Sequence, residues 1–174
     1  MSRSLSLNAR KAIDAAATED FFIVLIEFDH ADLAAPIRLS TDPTERLSDE
    51  PLRYGTRATW RGADPETEPF LFVAAGLEMP GDQEDTPAAF QLTIDLFDAE
   101  MVNLLRSFTG VATANLALVM ASDVETVEQQ WLGLQATSST WGERIVISSS
   151  RKPIEEEGVP KDIIGKRRFP GLFR

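Results

Sequence analysis

The sequence predicts a mainly β domain, a β-sandwich or β-barrel, followed by an extended C-terminal arm. Three observations predict it. Several segments alternate apolar and polar residues at period two, most cleanly Phe90, Leu92, Ile94 and Leu96. Turn signals recur at short intervals between them, which favours antiparallel strands over a parallel α/β sheet. From Pro153 onward the periodicity stops and prolines and glycines take over.

The elements follow in order. Leu7 to Thr18 is alanine-rich, with Leu7, Ile13 and Ala17 near helical spacing and Ser4 and Ser6 as candidate caps, so a short N-terminal helix is expected. Phe21–Phe28 is a run of β-formers apolar on both faces until Glu27, the pattern of a strand covered on both sides. Asp29–Ala35 reads as a turn into a partner strand at Ile37–Ser40. Asp42, Pro43, Asp49, Glu50 and Pro51 mark a polar loop. Leu52, Tyr54, Thr56, Ala58 and Trp60 alternate as a half-buried strand, and Phe70–Ala75 resumes as an apolar one after a loop at Arg61–Pro69. Met79–Pro87 is the most loop-like stretch of the body.

After the strand at Phe90–Leu96, Asp98 is a good N-cap. Met101, Val102, Leu105 and Phe108 then repeat at helical spacing before Gly110, predicting a helix over about 98–108. Ala112–Met120, Val127–Ser138 and Arg144–Ser149 read as three further strands, the last two joined around Trp141-Gly142. Seven or eight strands result, in a domain of residues 1–150 with the arm at 151–174.

Composition removes much of enzyme space. The chain has no cysteine and a single histidine, His30, so disulfides, thiolate sites and polyhistidine metal sites are excluded. Glu155, Glu156 and Glu157 are adjacent on an extended chain and do not converge on one cation; the acidic stretch Asp82, Glu84, Asp85 meets the same objection. His30 beside Asp29 reads as a turn residue, because neighbours in an extended chain point opposite ways and no nucleophile elbow is present. No phosphate-cradling loop appears. The reading is a non-enzyme without cofactor or metal.

Charge adds direction. The chain carries a net charge of −11, which argues against general nucleic-acid binding. Residues 1–150 hold 10 Lys and Arg against 24 Asp and Glu, whereas residues 151–174 hold 7 against 4. An acidic body with a basic tail invites the tail onto an acidic surface. The arm also carries Ile154, Val159, Ile163, Ile164, Phe169, Leu172 and Phe173, more apolar residues than a solvated tail needs. Ile163, Ile164, Phe169, Pro170, Leu172 and Phe173 are therefore the expected interface residues. No secretory leader or membrane-crossing run is expected, so the chain is read as made in the cytoplasm.

The ending, with Arg151-Lys152-Pro153, Glu155–Glu157, Pro160 and Phe169-Pro170-Gly171-Leu172-Phe173, resembles that of an uncharacterised family of minor tail proteins in long-tailed, non-contractile bacteriophages. The middle is similar in outline, with Asp95-Leu96-Phe97 closing a strand, a helix through Leu105-Arg106, a strand at Leu116–Met120 and a turn at Asp123. The resemblance implies a structural protein of the virion tail near its tip, in the distal ring or hub region. Implied partners are other tail proteins: tail tube, hub, tape measure or tip. It also implies a ring of threefold or sixfold symmetry, and rings need contacts between unlike surfaces, which an arm onto the next subunit supplies. The alternative is a carbohydrate-binding β-sandwich for host recognition, with Trp60, Trp131 or Trp141 as stacking platforms.

Overall fold

The structure is a computed structural model that describes residues 5–78, 89–95, 110–141 and 144–150. It is mainly β. The helix expected at 98–108, the loop at 79–87 and the arm at 151–174 lie outside the described residues.

The helix α1 spans Leu7–Asp14. Ser6 caps it, its Oγ accepting the Ala9 N–H at 3.1 Å. It stops short of the expected Thr18 because Ala15 is already extended and residues 15–17 are exposed, with no apolar face to bury.

Ten strands follow among the described residues: β1 Phe22–Asp29, β2 Ile37–Ser40, β3 Glu45–Asp49, β4 Leu52–Thr56, β5 Phe70–Phe72, β6 Ala75–Glu78, β7 Ala89–Asp95, β8 Thr113–Met120, β9 Asp123–Trp141 and β10 Arg144–Ser150. They hydrogen-bond in the order β3-β4-β5-β2-β1-β8-β9-β10-β7-β6. Three segments depart from the sequence expectation, and two of them raise the strand count. The polar stretch after Asp42 forms β3, an edge strand that β4 pairs with across Glu50-Pro51. The alternation from Leu52 ends as a strand at Thr56, and Trp60–Gly62 turns as a short 3-10 helix. The apolar run from Phe70 splits into β5 and β6, which join different flanks of the sheet. One pairing is also parallel, β2 with β5.

β1 is central and buried on both faces, as its unbroken apolar run requires. Val24, Ile26 and Phe28 enter one core cluster; Ile23 and Leu25 enter the other, with Phe70, Ala117 and Val119. The first cluster joins Ile37 and Leu39 of β2 to Leu92 of β7 and Ile147 of β10, strands from opposite flanks of the order. Only Val73 and Ala74 link β5 to β6 at the far end of the order. Three Cα steps reach at most about 11 Å. The sheet therefore curls until its flanks meet, in the manner of a barrel, with β3 and β4 extending one side.

Candidate interaction surface

Two features outside the hydrophobic core stand out, a buried ion network and an open strand edge. The network begins with Glu27, the residue that breaks the apolar pattern of β1. Register places it opposite Arg38 on β2 and Asn115 on β8, so the three side chains form a row across the sheet. The Glu27 side chain is 3% exposed and that of Arg38 8%, burial that an ion tolerates only when paired. Glu27 Oε1 accepts from Arg61 Nε at 2.9 Å and from Asn115 Nδ2 at 3.3 Å, and Oε2 lies 3.4 Å from Arg38 Nε. Arg38 continues to Glu68 at 2.8 Å, and Asn115 Oδ1 accepts the Gly133 N–H at 2.9 Å. Arg61 holds φ 60°, a left-handed conformation uncommon for a side-chain-bearing residue, and its bond to Glu27 helps to hold it there.

Glu68 is delivered to this network by the turn that starts at Asp64, whose carbonyl accepts the Glu68 N–H at 2.7 Å. The Asp64 carboxyl lies below the ordinary carboxylate range, chiefly because the Glu66 N–H donates to it and then because Thr67 does. Beside the Arg38–Glu68 pair, Pro36, Ile37 and Leu71 help to line a shallow concavity of about 180 Å³. Each carboxylate and guanidinium of the network already has an opposite charge in the protein. The arrangement clamps β1, β2, β8 and the Trp60–Gly62 turn together. In the sequence Glu27 is legible only as a pattern break, because its partners lie far off in the chain.

The second feature lies on β9, a 19-residue strand. Gln135 is the one position paired on both sides, with Thr113 of β8 and Ser150 of β10. Ala136 N–H donates to Ala112 O at 2.8 Å on the β8 side, so Gln135 directs its own backbone groups toward β10. From Gln135 back to Asp123, β9 pairs with β8 alone; from Gln135 to Trp141, β10 takes over. Among the described residues, the edge of β9 facing away from β8 between Asp123 and Leu134 has no strand beside it.

That edge is acidic. Asp123, Glu125 and Glu128 are the charged residues of β9, and no Lys or Arg interrupts them. Glu125 takes the Thr59 N–H at 3.0 Å and also the Thr59 hydroxyl. Glu128 Oε2 accepts the Ser6 N–H at 2.6 Å and so anchors the start of α1, while Glu128 Oε1 is buried without a hydrogen-bond partner. Exposed apolar side chains stand nearby: Leu132 on β9 itself and Leu7, the residue after Ser6. The opposite end of the sheet is guarded differently. Edge strand β3 carries Glu45, Arg46 and Asp49 in ion pairs with Arg57 and with each other, and Pro51 follows it.

The other sequence candidates are placed as follows. Trp60 lies against the second cluster, its ring 6.0 Å from that of Phe70, and half-buried Trp131 packs on the first cluster. The two are on opposite faces of the sheet and share no platform. The Trp141 side chain lies outside what is described. His30 sits in a turn, its carbonyl accepting the Leu33 N–H at 3.0 Å and its Nδ1 the Asp32 N–H at 3.1 Å. Nδ1 as acceptor places the ring proton on Nε2 in the neutral form. Glu155–Glu157, Asp82, Glu84, Asp85 and the arm residues Ile163, Ile164, Phe169, Pro170, Leu172 and Phe173 lie outside the described residues. Among the described residues no three His, Asp or Glu side chains gather as a metal set, and no helix is long and apolar enough to cross a membrane.

No protein-family model matches the chain, and no curated protein matches it significantly.

Proposed function

We propose that the protein is a structural component of a bacteriophage tail, near the tail tip, that assembles through strand-edge and arm contacts. The observation that carries the reading is a curled β core with an acidic edge on β9 that no strand flanks among the described residues, in a chain whose sequence continues past β10 into a basic, apolar-studded arm. Unpaired strand edges template association, and natural β proteins ordinarily block them. The likeness of the ending around Phe169–Phe173 to the phage tail family supports placing that association in a tail.

The test is direct. Purified full-length protein is followed by light scattering over a hundred-fold range of concentration and imaged in negative stain. Closed rings or discrete oligomers are expected. A strictly monomeric chain throughout would overturn the assembly reading.

A further inference from the structure

We propose that the open edge of β9, from Asp123 to Leu134, is the seat for residues 161–173 of a neighbouring copy, added alongside as an extra strand. The inference rests on the assembly reading above and names the surface through which copies join.

Three physical requirements for such a seat are met on this edge. Among the described residues, main-chain donors and acceptors facing away from β8 have no strand to pair with, and β-augmentation supplies one. The charge is complementary: β9 offers Asp123, Glu125 and Glu128, whereas residues 161–174 hold five Lys and Arg against one Asp. No Lys or Arg among the described residues forms an ion pair with these three carboxylates, and Glu128 Oε1 is buried with nothing to accept from. A cation arriving from elsewhere satisfies it. Exposed Leu132 and Leu7 flank the edge and suit the apolar residues of the incoming segment.

Charge order identifies the donor as a second copy. β10 ends at Ser150 opposite Gln135 and points along the open edge. A direct continuation of the same chain would bring Glu155, Glu156 and Glu157 alongside the stretch that holds Glu128, like against like. Ser150 directs its N–H toward β9, so even-numbered positions in that continuation would do so too, and Pro160 has no N–H to give. Residues 151–174 extended at about 3.3 Å each span roughly 80 Å, ample to reach a neighbour. An edge on one copy and an arm on the next form a contact between unlike surfaces, which propagates around a ring.

Complementation between two full-length variants tests this. One carries Gln130→Lys and Leu132→Lys, at exposed positions on the edge; the other carries K166E, R167E and R168E in the arm. Circular dichroism checks that both keep the wild-type β spectrum, with Gln130→Lys alone as the milder edge variant. Wild type is expected to associate, each variant alone to associate at least ten-fold more weakly, and their equimolar mixture to form a heterodimer that grows no further. Growth stops there because one good edge meets one good arm. Variants that associate like wild type would sink the edge assignment while leaving assembly through some other surface standing. A mixture that stays monomeric, from variants that are each monomeric, would overturn the exchange between copies.

Discussion

At the scale of single residues, Glu27 is the most consequential side chain described. It is the one buried charge on β1, among apolar residues covered on both faces, and it neutralises two arginines that approach from different directions. Removing it leaves Arg38 buried beside an apolar core with only Glu68 to balance it. Breaking a buried pair from one side costs about 3–5 kcal/mol. Glu27→Ala is expected to lower stability by that order in urea denaturation, and Glu27→Gln, which keeps an oxygen for Arg61 Nε, by less. Equal losses for the two would show that the charge is irrelevant and only packing counts. The identity of Glu27 was plain in the sequence as a break in an apolar run. Its meaning was not, since Arg38, Arg61 and Asn115 reach it only once β2, β8 and the turn at Trp60–Gly62 are assembled.

At the scale of elements, β9 shows how a strand becomes longer than the sequence suggested. Alternation breaks at Leu132-Gly133, yet β9 continues because Gly133 takes φ 68° and lets two residues stand opposite Asn115. This glycine bulge puts Trp131 and Leu134 on the same face, both against the first core cluster. A Cβ at Gly133 meets nothing within 4 Å, so the cost of Gly133→Ala is conformational alone, about 1–2 kcal/mol for a left-handed residue with a side chain. Thermal melts should show that loss with the β spectrum intact. An unchanged melting temperature would mean that the bulge relaxes freely. Gly55 is the opposite case. There a Cβ would overlap the Phe70 carbonyl oxygen, because β4 and β5 approach too closely for any side chain. Period-two counting finds neither feature, since both depend on which strand lies opposite.

At the scale of the whole molecule, the curl of the sheet makes distant strands cooperate. Leu92 on β7 is fully buried in the cluster that also holds Ile37 and Leu39 on β2. Leu92→Ala should therefore weaken the entire domain by about 2–5 kcal/mol, seen as one cooperative transition at lower temperature. Two separate transitions, with the β7–β10 flank melting first, would show that the flanks do not share a core. The β10–β9 register matters at this scale too, because among the described residues it leaves one edge of β9 without a strand beside it.

The sequence by itself determined the mainly β class, the both-faces burial of β1, the short capped helix α1 and the charge split between an acidic body and a basic arm. These are local properties: periodicity, capping and composition are written within a few residues of each other. Only the tertiary structure decided the order of the strands, the division of Phe70–Glu78 between two flanks, the ion row at Glu27 and the open edge of β9. Each of these depends on residues far apart in the chain meeting across hydrogen-bonded strands. Such partners are chosen by the burial of the whole sheet, and no short stretch of sequence records that choice.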